Sequence, residues 1–153
     1  MYLSIIILIY TIFVLFFFND VIIFGNTFAS GDSFNPYAIH HILDQIRLAS
    51  SEWPQWQPWI FSGMPTLEAF TYVNLLYLPS YFLDLLGFSD LNIQFMHLVF
   101  SAVSMFYLVQ KLILNKKIAF ISGLLWMLNP FLITMIVYGH GSQMMTAAFF
   151  PIT

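Results

Sequence analysis

The chain has 153 residues, of which 60% are hydrophobic and only 7% are charged. Because a soluble domain carries about 25% charged residues, this composition excludes an ordinary soluble domain and indicates an integral membrane protein. The net charge is −3, and a chain with so few charges lacks the basic patch that nucleic-acid binding requires. The absence of cysteine excludes disulfides and thiolate metal sites.

The first predicted element is a membrane span over residues 1–18, which are uncharged and rich in Ile, Leu and Phe. At 1.5 Å per residue this run covers about 27 Å, enough to cross a bilayer. A cleaved signal peptide is the alternative interpretation. The start carries no Lys or Arg, however, and the run exceeds the roughly 7–15 apolar residues of a signal core, which favours an uncleaved anchor.

Residues 19–90 are predicted to form a long outer loop, which holds all seven acidic residues of the chain. Within it, Asn35 can cap a helix that has Pro36 at its first position. The apolar residues after Pro36 recur at helical spacing: Ile39, Ile42, Leu43, Ile46 and Ala49. This pattern predicts an amphipathic helix that lies on the membrane surface.

Two more segments of the outer loop are typical of a membrane interface. Trp53, Trp56 and Trp59 occur within seven residues, and tryptophan suits the headgroup layer. Residues 69–83 are uncharged but short, and Pro79 interrupts them. They are therefore interpreted as an interfacial or re-entrant segment rather than as a span.

The two clearest predicted spans are residues 91–110 and 118–138, since a crossing needs about 20 apolar helical residues. Lys111, Lys116 and Lys117 crowd the short connection between them, which predicts a tight helical hairpin. The positive-inside rule places this connection in the cytoplasm and the N-terminus on the same side.

The uncharged residues 144–153 are interpreted as the start of a fourth span, which makes the chain the N-terminal part of a longer polytopic protein. The predicted fold is an all-α integral membrane bundle, with three full spans plus the start of a fourth. Residues 1–153 are predicted to form a single transmembrane domain.

Asp32 is the first candidate for chemistry. A carboxylate near the outer surface can take a proton from a hydroxyl nucleophile, and partial desolvation would raise its basicity. The alternative is that Asp32 only begins a turn or caps the segment after it. Arg47, the basic residue of the outer loop, can bind a lipid phosphate or can simply pair with Asp44 at the surface.

Three further candidates combine polar or constrained residues. The turn around Gly63 can bring backbone N–H groups close to a ligand, or can only pack against the bundle. His140 follows the third predicted span, on the same side as Asp32, and can donate to a phosphate or to a sugar hydroxyl. Gln94 and His97 lie inside the second span and face either a cavity or a neighbouring helix.

The order of motifs in the outer loop resembles the YfhO-like bacterial membrane proteins. The relevant features are Gly31-Asp32, the amphipathic helix, the segment from Trp56 to Trp59, and Phe61-Ser62-Gly63-Met64-Pro65. Tyr138-Gly139-His140-Gly141-Ser142 also resembles a segment of that family. The family is in turn similar to the GT-C superfamily of membrane glycosyltransferases. Those enzymes hold a catalytic carboxylate in the first outer loop and take sugars from polyprenyl phosphates.

The resemblance implies that Asp32 is the catalytic base and that Arg47, Trp59, Gly63 and His140 bind the substrate. The implied reaction moves a sugar from a polyprenyl-phosphate donor to a cell-envelope acceptor on the outer face of the bacterial inner membrane. Membrane lipid is the other implied partner.

No cofactor is predicted, since no second acidic residue stands beside Asp32 and a divalent cation has no support in the sequence. Two alternatives remain: a fragment of a polytopic transporter, and a non-catalytic envelope-assembly protein. The three predicted spans contain no Asp, Glu, Lys or Arg, which weighs against transport.

Overall fold

The computed structural model describes residues 3–52, 54–59, 61–66 and 77–153. The chain divides into two compact units, and the single transmembrane domain expected from the sequence stays a prediction. The first, called here the helical unit, comprises Met1–Phe28 and Ser89–Thr153. The second, called the loop unit, comprises Ala29–Phe88, most of the predicted outer loop.

The described residues are mostly helical and contain one short β-hairpin. In chain order the elements are α1 (Leu3–Phe17), α2 (Asn19–Ile22), α3 (Gly31–Ser50), β1 (Trp56–Gln57), β2 (Met64–Pro65), α4 (Leu78–Leu85), α5 (Asp90–Ile113), α6 (Lys116–Met127), α7 (Pro130–Val137) and α8 (Gly141–Ala148). A 3-10 helix over Phe150–Ile152 follows α8.

Helix α1 corresponds to the predicted first span. It buries every fourth residue, at Ile6, Tyr10 and Val14, while Leu8 and Phe16 on its other side are exposed. Its 15 residues extend over about 22 Å, which is short for a hydrocarbon core of about 30 Å. Among the described residues, two helical segments are long and apolar enough to cross a membrane, and both lie further along, at Leu91–Ile113 and Lys116–Val137.

The predicted helical hairpin between the two long segments is confirmed. Helix α5 ends at Ile113, and Leu114 takes a left-handed conformation with φ 57° that reverses the chain. Asn115 then caps α6, because its side-chain oxygen accepts the backbone N–H groups of Lys117 at 3.0 Å and Ile118 at 3.3 Å. Only two residues therefore connect α5 to α6.

The predicted span over residues 118–138 corresponds to the apolar segment Lys116–Val137, within which the helix is interrupted between α6 and α7. Asn129 caps α7 by accepting the N–H of Phe131 at 2.9 Å, and Pro130 occupies the first position of the helix. Because proline has no N–H, it cannot continue the ladder of α6 but fits the first turn of a new helix.

Residues 144–153, which were predicted to start a fourth span, do not form one continuous helix. Helix α8 begins at Gly141 and ends at Ala148, so the apolar run does not continue as one helix. The chain then tightens into the 3-10 helix, whose first turn contains Pro151.

The core of the helical unit is built where small residues allow helices to approach. The Tyr10 hydroxyl of α1 donates to the backbone oxygen of Phe120 in α6 at 2.9 Å, and the two rings stack with centroids 5.2 Å apart. A Cβ on Gly123 would collide with the Tyr10 hydroxyl and would lie 2.6 Å from the Ala102 backbone oxygen of α5. Such contacts through small residues are typical of helices packed in membranes.

In the loop unit, α3 begins at Gly31 rather than at the predicted cap Asn35. Asp32 therefore lies in the first helical turn, where a carboxylate stabilises the positive end of the helix dipole. The amphipathic character is confirmed in part, since Leu43 is buried whereas Ile42 and Ile46 are exposed.

The remaining elements of the loop unit are the hairpin and α4. Strands β1 and β2 pair antiparallel, with Trp56 opposite Pro65 and Gln57 opposite Met64. Of the predicted interfacial segment over residues 69–83, the part from 69 to 76 lies outside the described residues. Helix α4, Leu78–Leu85, covers the rest and contains Pro79 in its first turn.

Candidate functional site

Four of the five residues predicted to form the site belong to the loop unit: Asp32, Arg47, Trp59 and Gly63. His140 belongs to the helical unit. Each unit is therefore described by itself, beginning with the loop unit.

The Asp32 side chain is exposed in the first turn of α3. An exposed carboxylate is accessible to a hydroxyl-bearing substrate. This position does not by itself supply the desolvation that was expected to raise its basicity. The position instead agrees with the alternative that Asp32 stabilises the beginning of a helix.

Arg47 forms the surface pair that its spacing from Asp44 predicted. Its Nη2 lies 3.3 Å from Asp44 Oδ1, with the side chains 40% and 52% exposed respectively. A pair this exposed contributes at most about 1 kcal/mol, because water screens both charges.

The turn between β1 and β2 is as constrained as the sequence predicted. Phe61, Ser62 and Gly63 have φ values of 50°, 63° and 111°, so three successive residues lie in the left-handed region. Non-glycine residues there are strained, and such strain is often found at functional sites. A Cβ on Gly63 would lie 2.6 Å from the indole of Trp56, so only glycine fits against this ring.

The hairpin exposes aromatic rings and buries polar groups. Trp56, Trp59 and Phe61 are 54%, 52% and 84% exposed, whereas Gln57 is 0% and Thr66 is 1% exposed. The Thr66 hydroxyl donates to the Pro54 carbonyl oxygen at 2.6 Å. This distribution is the reverse of that on a water-facing hairpin, and it suits a hairpin surrounded by lipid headgroups and acyl chains.

Gln57 is a residue of the site region that the sequence did not indicate. Both polar atoms of its amide are buried, and neither has a hydrogen-bond partner within the described part of the chain. Successive strand residues point to opposite faces, but the sequence alone does not decide which face is buried. The alternation of Trp56 and Gln57 therefore indicated that one of the two side chains is buried, but not which one.

His140 precedes α8 and acts there through its backbone. Its N–H donates to the Met135 oxygen at 2.7 Å, and its own oxygen accepts the Met144 N–H at 3.1 Å. The imidazole is exposed and makes no capping hydrogen bond to the helix. It is thus accessible to a ligand, as predicted for a residue at the end of a span.

A second polar group of the helical unit follows one face of α5. This polar seam consists of Gln94, His97, Ser101 and Ser104, spaced three and four residues apart. His97 Nδ1 donates to the Ile93 carbonyl oxygen at 2.8 Å, so Nε2 is the acceptor nitrogen of the neutral imidazole. Gln94 packs its amide directly against Gly141 of α8, in agreement with the prediction that it joins helices.

Two atoms of the polar seam, Gln94 Oε1 and Ser104 Oγ, are buried without a hydrogen-bond partner. Among the residues that the structure describes, no group of three or more His, Asp or Glu side chains could hold a metal ion. Comparisons with protein families, with curated proteins and with solved structures find no match to this chain. The part of the chain that the structure describes is mostly helical and includes two segments long and apolar enough to cross a membrane.

Proposed function

We propose that this chain belongs to a multi-pass protein of the bacterial inner membrane, similar to the YfhO-like proteins. The protein would transfer a sugar from a polyprenyl-phosphate-linked donor to an envelope acceptor on the outer face. The observation that carries the proposal is Asp32, an exposed carboxylate in the first turn of the 20-residue amphipathic helix α3.

Placement in a membrane is supported by the apolar side chains that the two long segments expose. Leu112, Leu125 and Phe131 are 73%, 67% and 61% exposed. Exposing apolar surface to water costs about 25 cal/mol per Å², and surrounding lipid removes this cost. The exposed aromatic side chains of the β1–β2 hairpin support a position of this hairpin in the headgroup layer.

The proposed reaction is a displacement at the anomeric carbon of the donor sugar. The acceptor hydroxyl oxygen forms the new bond to that carbon while its proton passes to the Asp32 carboxylate. The bond from the anomeric carbon to the phosphate oxygen breaks, and the lipid phosphate leaves with the electron pair. Arg47 would neutralise this phosphate, while Trp59 and the backbone at Gly63 would position the sugar.

The test is sugar transfer by the full-length protein in membranes, with a labelled polyprenyl-phosphate sugar as donor. Asp32→Asn removes the base but keeps the shape, so we expect transfer to fall by about 100-fold or more. Asp20→Asn is the matched control, since Asp20 is also an exposed aspartate in the first turn of a helix, α2, and has no part in the proposed site. Equal transfer by the Asp32 variant and wild type would exclude the base role.

A specific observation favours transport as the second candidate. The polar seam on α5 buries polar atoms without partners inside a segment able to cross a membrane, and such groups can line a solute path. This candidate predicts solute flux into proteoliposomes that His97→Phe reduces, together with no transfer of labelled sugar. Flux and transfer are measured on the same preparation, so the two functions are separated directly.

A further inference from the structure

We propose that the connection between α5 and α6, residues 111–117, binds the headgroups of anionic phospholipids. We call this segment the basic turn. The inference rests on the membrane placement proposed above and does not depend on sugar transfer.

The basic turn concentrates positive charge at one end of the helical hairpin. Lys111 lies in the last turn of α5, and Lys116 and Lys117 begin α6. All three lysine side chains are exposed. Because only Leu114 and Asn115 separate the two helices, three ammonium groups occupy seven consecutive residues at the same end of the hairpin.

The surrounding sequence provides no opposite charge for these lysines. No Asp or Glu occurs from residue 91 to residue 153. The nearest acidic residue along the chain before the turn is Asp90, at the other end of α5, which places it about 30 Å away along the helix axis. The balancing anion is therefore expected from outside this hairpin.

Helix stability does not account for the two lysines that begin α6. A cation is favourable near a helix C-terminus, as at Lys111, but unfavourable near an N-terminus, where Lys116 and Lys117 lie. The N–H groups of Lys117 and Ile118 are already accepted by the Asn115 side chain. An anion would therefore be held by the ammonium groups rather than by the end of the helix.

Apolar side chains beside the lysines indicate a lipid rather than a soluble anion. Leu112 and Leu114 are 73% and 85% exposed within the basic turn. Lysine can direct its ammonium toward a phosphate while its alkyl stem and the neighbouring leucines contact acyl chains. An uncharged lipid would satisfy only the apolar part, so the basic turn should prefer anionic phospholipid.

The test measures lipid binding to the full chain in detergent by native mass spectrometry. Phosphatidylglycerol and phosphatidylcholine with identical acyl chains are the two probes. We expect phosphatidylglycerol to bind more tightly and to lose this advantage as salt is raised. Each lysine near a membrane surface contributes about fivefold. The variant Lys111→Gln/Lys116→Gln/Lys117→Gln should therefore lose about 100-fold in phosphatidylglycerol affinity.

The charge-preserving variant Lys111→Arg/Lys116→Arg/Lys117→Arg is the control, and it should retain the preference for phosphatidylglycerol. Circular dichroism verifies that both triple variants keep their helices, and the three single Lys→Gln variants supply graded losses if the triple variant does not fold. Equal binding of the two lipids by wild type, or unchanged phosphatidylglycerol affinity after removal of the lysines, would overturn the proposal. Sedimentation of wild type with cell membranes tests the membrane placement separately.

Discussion

At the scale of single residues, Gln57 is a polar side chain that is fully buried in the loop unit. It is 0% exposed, and among the residues that the structure describes neither the nitrogen nor the oxygen of its amide has a hydrogen-bond partner. A buried polar group left without a partner costs about 1–3 kcal/mol of folding free energy. Gln57 is therefore a position where an apolar replacement is expected to stabilise the fold.

Gln57→Met replaces the amide with an apolar side chain of similar length. We expect the free energy of unfolding to rise by about 1 kcal/mol or more, since the unpaired amide no longer has to be desolvated. Thermal unfolding of the purified protein measures the change. Gln55→Met is the matched control at an exposed position two residues earlier, where a change within about 0.5 kcal/mol is expected. A lower unfolding temperature for Gln57→Met would contradict the prediction.

Single residues also show which contacts the spacing of residues along the chain predicts and which it does not. The pair between Asp44 and Arg47 followed from their separation of three residues, because such residues are neighbours on any helix. The backbone strain at Phe61 and Ser62 did not follow from spacing, since either residue is ordinarily found at negative φ. The substrate-binding role of Arg47, Trp59, Gly63 and His140 stays a prediction.

At the scale of elements, the contact of α1, α5 and α6 depends on Gly123. Glycine inside a helix normally lowers stability by about 1 kcal/mol relative to alanine. Here a Cβ would meet the Tyr10 hydroxyl and the Ala102 backbone oxygen, and a backbone atom cannot move aside. The requirement for close approach therefore outweighs helix propensity.

Gly123→Ala should destabilise the helical unit by about 1–3 kcal/mol, opposite in sign to the effect of propensity alone. The measurement is thermal unfolding in detergent followed by circular dichroism. Ser122→Ala, one residue earlier on α6, is the control and should change stability little. Stabilisation by Gly123→Ala would show that the three helices are not packed as closely as described.

The break between α6 and α7 illustrates a competition between two signals. Hydropathy runs without interruption over residues 118–138, which predicted one span. The Asn129-Pro130 pair interrupts the helix inside this span, because asparagine provides a cap and proline removes an N–H. The local chemistry of two residues thus divides an element that the average composition describes as continuous.

At the scale of the whole molecule, the topology predicted from the sequence places the β1–β2 hairpin on the outer side of the membrane and the basic turn in the cytoplasm. The chain contains no cysteine, so single cysteines can be introduced without a background. Phe61 and Leu114 are suitable positions because they are 84% and 85% exposed.

Phe61→Cys should react with a membrane-impermeant maleimide added to intact cells, whereas Leu114→Cys should react only after the membrane is opened. Labelling is read as a mass shift of the purified protein. Labelling of Leu114→Cys in intact cells would reverse the orientation and would remove the outer position proposed for Asp32. Reaction of both residues with intact cells would contradict an α5–α6 hairpin that crosses from the outside.

The sequence by itself determined the helical class, the segment 91–110, the tight hairpin after it and the basic turn. These depend on composition, charge and capping residues, which act locally and do not require distant partners. Only the tertiary structure decided that Gln57 is inside while Trp56 is outside, and that Gly123 lies against Tyr10. Such features depend on contacts between residues far apart in the chain, and periodicity alone does not assign a buried face to a short strand or a uniformly apolar helix.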